Sequence, residues 1–335
     1  MNPSVRGPAR LPFPPFRDRF PWIGGDLQTV RNTLRWSDPH LAPATRLKLP
    51  LADGDQLWAS VNVPGHMTAK PTIVLIHGLT GDENSRNIQT SAAYHLGRGF
   101  PVIRMNLRGA GPSLGSSQGH YHAGRSRDLR EALAALPSAL KEHGALLVGA
   151  SLGGNMLLKF MAEEPPPFVR AAAAVSPPVD LKAAQMCIMR PRNRIYHRHL
   201  LKQMKADAAA SGDVRVTADL IAEIQSVYDF DDRIVAPTNG FANAEDYYAR
   251  SSAGPRLRQI ETPTLIVHAA DDPWIPPDAL SNAAFPNTGA VTLLMSPGGG
   301  HVGFHAADNP APYHDRCIGM FFDAVLSRPQ AQASQ

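Results

Sequence analysis

One serine in the sequence has the setting of a catalytic nucleophile. Ser151 is the centre of a Gly-x-Ser-x-Gly motif at 149–153, which directly follows the apolar run 146–148 and precedes the helical pattern 155–160. A strand that turns sharply into a helix exposes the serine hydroxyl at the helix N-terminus, and so tight a turn requires glycine at the flanking positions. The motif therefore predicts a nucleophile elbow, with a serine that merely caps the helix as the alternative.

A serine hydroxyl is a poor nucleophile until a base takes its proton, so a histidine and an orienting carboxylate are needed later in the chain. His301 follows three glycines after the apolar run 291–294 and is the predicted base. The acid is expected in the loop after the run 264–267, where Asp272 stands four positions before a proline in a D-x-x-[VI]-P pattern. Asp271 and, more remotely, Asp180 remain alternatives.

Backbone N–H groups near the nucleophile are needed to hold the negative charge that develops on the attacked carbonyl oxygen. The sequence His-Gly-Leu-Thr-Gly at 77–81 follows the apolar run 72–76. In the fold that such an elbow indicates, one N–H comes from the residue after His-Gly and the other from the residue after the nucleophile. Leu79 and Leu152 are therefore the predicted oxyanion hole, and His77 is expected to brace the loop rather than act as a second base.

Short apolar runs alternate with helical segments and indicate the elements that position these residues. The runs are 72–76, 101–105, 145–148, 171–175, 264–267 and 291–294. Nearly continuous apolar runs are typical of parallel strands buried on both faces. Two extended segments, 45–51 and 57–63, are joined by an Asp-Gly turn and should begin the sheet. The clearest predicted helix runs from Ser126, as its N-cap, to His143.

The spacing of the predicted strands divides the chain. Residues 1–44, rich in proline with scattered aromatic residues such as Phe16 and Trp36, are predicted to form an arm. The 88 residues from 176 to 263 are too many for one crossover helix, so an inserted lid is expected at 180–254. Residues 45–179 and 255–328 then form the core, and 329–335 a flexible tail. The predicted fold is a mostly parallel sheet flanked by helices, with an inserted helical lid.

The lid is predicted to contact the substrate. Met186, Met189 and Tyr248 are expected to line an apolar acyl-chain site. The segment 190–205 carries six Lys or Arg and no acidic residue, interleaved with apolar residues. This pattern predicts either a weak peripheral contact with a membrane surface or anionic lipid head group, or, as the favoured alternative, a solvated cationic helix face over a buried apolar one.

Composition excludes several other functions. With 335 residues and 43% apolar content, the chain is expected to form one catalytic unit. The formal charge of +4 comes without a basic-aromatic array, so nucleic acid is not an expected partner. Two cysteines form no disulfide framework and no signal sequence is apparent, which predicts a cytoplasmic location. No dinucleotide fingerprint or zinc spacing occurs, so neither a cofactor nor a metal is expected.

Nine motifs, in order along nearly the whole chain, resemble the YheT-like branch of the α/β-hydrolases. They are Gly-Gly-Asp-Leu-Gln-Thr at 24–29, His-Gly-Leu-Thr-Gly at 77–81, Asn-Leu-Arg-Gly-Ala-Gly at 106–111, Tyr-His-Ala-Gly at 121–124, the elbow at 149–153, the lid segment 230–241, Asp-Tyr-Tyr at 246–248, Asp-Asp-Pro at 271–273 and Gly-Gly-His-Val-Gly-Phe at 299–304. The resemblance implies the α/β-hydrolase fold and a triad of Ser151, Asp272 and His301. One departure is Asp26, where the family commonly has histidine.

The resemblance further implies a carboxylic ester hydrolase of this branch, whose eukaryotic relatives act on acylglycerols, phospholipids or medium-chain acyl esters. The expected reaction is two-step acyl transfer through an acyl-enzyme on Ser151. The expected substrate is a small-molecule or lipid ester. An acyltransferase that passes the acyl group to an alcohol, and a non-catalytic ligand-binding module with an unused triad, are the alternatives.

Overall fold

The computed structural model describes residues 2–7, 11–34, 39, 41–65 and 69–328, and in this part of the chain nine strands form one sheet. In chain order they are β1 (Ser4–Arg6), β2 (Thr45–Pro50), β3 (Gln56–Asn62), β4 (Thr72–Ile76), β5 (Val102–Met105), β6 (Ala145–Ala150), β7 (Val169–Val175), β8 (Thr264–Ala269) and β9 (Val291–Ser296). Across the sheet the order is β1-β9-β8-β7-β6-β4-β5-β3-β2.

The strands from β4 to β9 are parallel, while β1, β2 and β3 pair antiparallel at the two edges. Every residue of β4, β5, β6 and β8 is buried, as expected for parallel strands covered on both faces. The predicted parallel α/β sheet is confirmed, and each predicted strand lies within two residues of the observed one.

The register of the parallel strands aligns their carboxyl ends. Ile76 of β4 pairs with Gly149 of β6, and Val175 of β7 pairs with both Ala150 and Val267. The loops that follow β4, β6, β8 and β9 therefore leave the sheet at one edge. In open α/β sheets this edge is where ligands bind.

Helices cover both faces of the sheet and fill the connection between β7 and β8. They are α1 (Gly25–Leu34), α2 (Arg86–Gly97), α3 (Ser126–Ala134), α4 (Leu152–Met161), α5 (Leu181–Ile188), α6 (Arg194–Ala210), α7 (Ala218–Glu223), α8 (Val227–Phe230), α9 (Ala236–Thr238), α10 (Ala244–Ser251), α11 (Asp278–Ser281) and α12 (Tyr313–Leu326). Alternate residues of β4 enter different cores: Val74 and Ile76 pack on the face of α3 and α4, and Ile73 and Leu75 on the face of α2 and α12.

Helix α3 is shorter than the sequence pattern predicted. It ends at Ala134 instead of His143, and a short 3-10 turn at Ser138–Leu140 follows. Pro137 explains the early end, because proline has no N–H to donate and disfavours a helical conformation in the residue before it. Ser126 is the first helical residue rather than the N-cap, and its Oγ accepts a hydrogen bond from Lys159 Nζ at 2.9 Å.

The N-terminal arm contributes more regular structure than predicted. Strand β1 extends the sheet beyond β9, and α1 follows a proline-rich segment in which Phe16 is buried. The Phe16 ring packs edge-on against Tyr313, with centroids 5.2 Å apart. The arm is therefore joined to the core. Trp36 and the predicted tail at 329–335 lie outside the described residues.

The segment predicted as the lid forms α5 to α10, between β7 and β8. These helices surround an apolar cluster of their own, formed by Ile188, Leu200, Leu201, Met204, Ala208, Ile224, Val227, Phe230 and Ile234. Its role as a lid stays a prediction. Among the helices of the described residues, none combines the length and the apolar composition needed to cross a membrane.

Candidate active site

The strand β6 turns into α4 at Ser151, whose backbone has φ 51° and ψ −122°. This conformation is strained for any residue with a side chain. A Cβ at Gly153 would collide with the carbonyl oxygen of His77, and one at Gly149 would collide with the Gly153 backbone. Glycine is thus required on both sides of Ser151, and the turn has the geometry that the motif predicted.

The structure brings the three predicted catalytic side chains into one hydrogen-bonded chain. His301 Nε2 lies 2.8 Å from Ser151 Oγ, and His301 Nδ1 lies 2.9 Å from Asp272 Oδ2. The second carboxylate oxygen, Oδ1, accepts N–H hydrogen bonds from Trp274 at 2.8 Å and Ile275 at 3.0 Å. This arrangement fixes the Asp272 carboxylate and allows His301 to take a proton from the serine hydroxyl.

Asp272 is suited to remain ionised. Burial would raise its pKa, but the neighbouring His301 and the hydrogen bonds to the carboxylate outweigh burial and hold the pKa below its ordinary value. The Trp274 ring stacks on the His301 ring, with centroids 4.5 Å apart and planes inclined by 23°. The imidazole is therefore held in place by both a charge and an aromatic face.

The two alternative acids have other partners. Asp271 Oδ1 accepts a hydrogen bond from Gly300 N at 2.9 Å, which braces the loop that carries His301. Burial raises the pKa of Asp271. Asp180 caps the N-terminus of α5 by accepting a hydrogen bond from Ala183 N. The geometry thus favours Asp272 as the residue that orients His301.

The predicted oxyanion residues lie beside the serine. A Cβ at Gly78 would be only 3.1 Å from Ser151 Cβ, so the loop after β4 runs directly past Ser151. Leu79 and Leu152 both line the same cavity as Ser151. Leu152 is the first residue of α4, and the N–H groups at a helix start have no acceptor within the helix.

His77 fixes the loop after β4, which carries the predicted oxyanion residue Leu79. It is fully buried, its Nε2 accepts a hydrogen bond from Leu107 N at 3.0 Å, and its Nδ1 lies 2.8 Å from the Gly78 carbonyl oxygen. Burial lowers the pKa of His77 to about 4. The side chain is thus neutral at physiological pH and braces the loop, in keeping with its predicted role.

Sequence reasoning missed the contribution of the arm to this site. Thr29 Oγ1 accepts a hydrogen bond from His301 N at 2.8 Å and donates one to the Gly25 carbonyl oxygen. The buried Gln28 side chain binds both backbone groups of His305, accepting from its N–H and donating to its carbonyl oxygen. The arm therefore supports the histidine loop from the opposite end of the chain. The motif at 24–29 was the available signal.

Asp26, the departure from the family pattern, connects the arm to the lid. Its carboxylate pairs with Arg192 at 2.9 Å and accepts a hydrogen bond from Tyr196 OH at 3.0 Å. The Tyr196 ring packs edge-on against Trp274, which in turn stacks on His301. Asp26 thus joins the arm to the predicted lid, and Tyr196 and Trp274 connect this contact to the His301 ring.

A cavity of about 280 Å³ opens onto Ser151 and His301. Tyr248 lines it, as predicted, but Met186 and Met189 do not and are 59% and 42% exposed. The prediction for the two methionines is wrong because α5 presents another face to the cavity. That face consists of Leu181, Ala184, Gln185 and Ile188. These four residues follow the helical i, i+3, i+4, i+7 spacing.

Within the described ranges, no group of three or more His, Cys, Asp or Glu side chains is placed to hold a metal ion.

Comparison with known proteins gives consistent results. The sequence model of the α/β-hydrolase fold family matches residues 71–308. The Escherichia coli (strain K12) protein named as the esterase YheT is 34% identical over 266 residues, which cover 77% of each chain. Phospholipase ABHD3 of Mus musculus is 27% identical over 290 residues, covering 82% of this chain and 70% of the mouse protein.

The fold also resembles solved structures. That of the Pyrococcus furiosus esterase Pf2001 superposes with a TM-score of 0.58, covering 87% of this chain and 94% of that one at 16% sequence identity. At this identity the likeness concerns the fold.

Proposed function

The chain belongs to the YheT-like branch of the α/β-hydrolase family and is a carboxylic ester hydrolase, and from this premise we propose that it cleaves esters through an acyl-enzyme on Ser151. The observation that carries the proposal is the hydrogen-bonded chain Ser151–His301–Asp272, with contacts of 2.8 and 2.9 Å. A buried, ionised carboxylate next to an imidazole that reaches a strained serine has the requirements of nucleophilic catalysis.

In the first half-reaction, His301 Nε2 takes the proton of the Ser151 hydroxyl while Oγ attacks the ester carbonyl carbon. The N–H groups of Leu79 and Leu152 stabilise the oxyanion of the tetrahedral intermediate. When the intermediate collapses, the ester C–O bond breaks and the departing alkoxide takes the proton from His301. The products of this step are the alcohol and the acyl-enzyme.

In the second half-reaction, His301 takes a proton from water, and the resulting hydroxide attacks the acyl carbon. The bond to Ser151 Oγ then breaks, the serine recovers its proton from His301, and the carboxylic acid leaves. Asp272 keeps the imidazole in one tautomer and stabilises its positive charge throughout. Hydrolysis is complete without a cofactor.

We propose medium-chain acyl esters or lipid esters as substrates, because the cavity wall includes apolar side chains of the lid such as Leu200, Met204 and Phe230. The kcat/KM for p-nitrophenyl esters should rise from acetate to medium-chain acids, since each CH₂ group buried in the cavity contributes about 0.8 kcal/mol to binding. A profile that peaks at acetate would contradict an acyl-chain site.

Product analysis with added ethanol separates hydrolysis from the acyltransferase alternative, which would yield the ethyl ester. A cytoplasmic location remains a prediction.

Peripheral contact with an anionic lipid surface is the second part of the proposal. A rim surface on the arm and the lid comprises six apolar side chains that are at least 42% exposed: Phe20, Ile23, Leu27, Met186, Met189 and Ile195. Four exposed arginines accompany them: Arg190, Arg192, Arg194 and Arg198. The Asp26–Arg192 ion pair joins the two parts. Exposed apolar groups among cations are typical of surfaces that lie on membranes.

Replacing Ile195 with glutamate is expected to lower co-sedimentation of the protein with vesicles of phosphatidylcholine and phosphatidylglycerol. A new anion on the rim surface opposes both apolar insertion and attraction to anionic lipid. Val214→Glu is the matched control, because Val214 is 91% exposed and lies outside the rim surface. Equal losses for the two variants, or no binding by the wild type at low salt, would count against this contact.

A further inference from the structure

A carboxylate is buried in the part of the cavity wall that the predicted lid forms. Asp231 follows α8 and begins a π-helical turn at Asp231–Val235. It is only 8% exposed and lines the same cavity as Ser151. A π-helical turn is rare and occurs frequently at functional sites.

Tyr248 holds this carboxylate by one oxygen. Its hydroxyl donates to Asp231 Oδ2 at 2.7 Å, and both residues line the cavity. Among the described residues, Tyr248 is the single hydrogen-bond partner of the Asp231 carboxylate, so the other oxygen, Oδ1, is available to a ligand. Burial raises the pKa of Asp231 to about 7, against the lowering effect of Tyr248.

The surroundings make such a group costly for stability alone. The neighbours Phe230 and Ile234 belong to the apolar cluster of the lid. A carboxylate in apolar surroundings destabilises the fold unless it is paired, and an apolar residue of similar size would fill the wall at lower cost. An acid at this place in the wall therefore points to a ligand.

The charges around the cavity define the kind of ligand. Among the described residues that line it, Asp207 is a second carboxylate and none is lysine or arginine. An acceptor without a neighbouring cation favours hydrogen-bond donors and repels anions. A group such as a hydroxyl fits this wall, while a phosphate or a second carboxylate does not.

We propose that Asp231, oriented by Tyr248, is a specificity-determining residue that accepts a hydrogen bond from a hydroxyl group of the ester substrate. The proposal rests on the proposed function of Ser151. The hydroxyl belongs either to the alcohol part of the ester or to its acyl part, and two pairs of probes distinguish these sources.

The test measures preference for a hydroxyl in matched esters. Monodecanoylglycerol is compared with propyl decanoate, and ethyl ω-hydroxydecanoate with ethyl decanoate. Asp231→Asn can still accept the hydrogen bond of Tyr248 but presents an NH₂ group to the cavity. At about pH 8, above the pKa of about 7 at which Asp231 ionises, this variant should in one of the two pairs reduce the kcat/KM preference for the hydroxylated ester by about tenfold or more, since hydrogen bonds to charged acceptors contribute about 1.5–3 kcal/mol.

The preference is a ratio within each pair of esters, so a general effect of the substitution on hydrolysis cancels in it. Asp229→Asn is the matched control: it lies in α8, two residues before Asp231, and its Oδ2 accepts a hydrogen bond from Gln225 N. The preference should be unchanged in this control.

Two outcomes would overturn the proposal. One is a preference that Asp231→Asn leaves unchanged in both pairs, and the other is an equal fall for hydroxylated and hydroxyl-free esters, which would indicate a structural role. Labelling by a fluorophosphonate probe is measured on the same samples. If the wild type does not label, the acyl-enzyme on Ser151 is refuted. If the wild type labels and Asp231→Asn leaves the preference unchanged, only the role of Asp231 is refuted.

Discussion

Ser151→Ala is expected to lower kcat/KM for p-nitrophenyl esters on the order of 10⁶-fold, as removal of the nucleophile does in serine hydrolases. The residual rate would come from the oxyanion donors and from substrate binding, which the substitution leaves in place. Fluorophosphonate labelling should disappear with the hydroxyl. A variant that keeps half the activity, or that still labels, would place the nucleophile elsewhere.

The strained backbone at Ser151 provides an internal control for this variant. Alanine keeps a Cβ at φ 51°, whereas glycine adopts positive φ without a steric penalty. Ser151→Gly should therefore be as inactive as Ser151→Ala but more stable by about 1 kcal/mol, measured by chemical denaturation. Equal stabilities would mean that the strain is no larger than the roughly 0.5–1 kcal/mol by which the entropy of glycine in the unfolded chain destabilises the variant.

Local sequence determined most of what could be foreseen about the core. The buried strands β4 to β9 were predictable because an unbroken apolar run between turn residues fits few other structures. The elbow was predictable because its five-residue motif is contiguous and directly follows a strand pattern, although the close approach of the His77 carbonyl oxygen that requires Gly153 is not visible in the sequence. The end of α3 was also readable, since Pro137 stands inside the pattern that was extended to His143.

Contacts between distant parts of the chain were not predictable from local patterns. Thr29 and His301 are separated by 272 positions, and nothing in either segment specifies that a threonine hydroxyl meets a histidine N–H. Met186 and Met189 were predicted from their residue type alone. The helical phase of α5 decides instead, and it turns Ile188 inward and the two methionines outward.

Both kinds of contact converge on the orientation of His301. Asp272 fixes one ring nitrogen, Trp274 covers the ring face, and the backbone N–H binds Thr29 of the arm. The first two constraints come from the loop after β8, whereas the third comes from α1. The arm is thus expected to affect catalysis through the base, although it contributes no reacting group.

Asp272→Asn is expected to lower kcat/KM by about 10⁴-fold, the effect of losing the orienting carboxylate in a triad. The structure explains how the loss arises. Oδ1 accepts N–H hydrogen bonds from Trp274 and Ile275, so an asparagine at this position must turn its carbonyl oxygen towards them. The NH₂ group then faces His301 Nδ1 and forces the ring proton onto Nε2, where it prevents removal of the serine proton.

Asp271→Asn is the matched control, one residue away and of the same chemistry. Its Oδ1 accepts a hydrogen bond from Gly300 N, which an asparagine carbonyl can also accept, so the loss should stay below about tenfold. Both variants are measured on one p-nitrophenyl ester, with thermal midpoints to verify folding. The comparison decides between the two aspartates that the sequence alone left as candidates for the triad acid. In the structure it is Asp272 that lies 2.9 Å from His301 Nδ1. A larger loss for Asp271→Asn would therefore show that another carboxylate orients His301 during turnover.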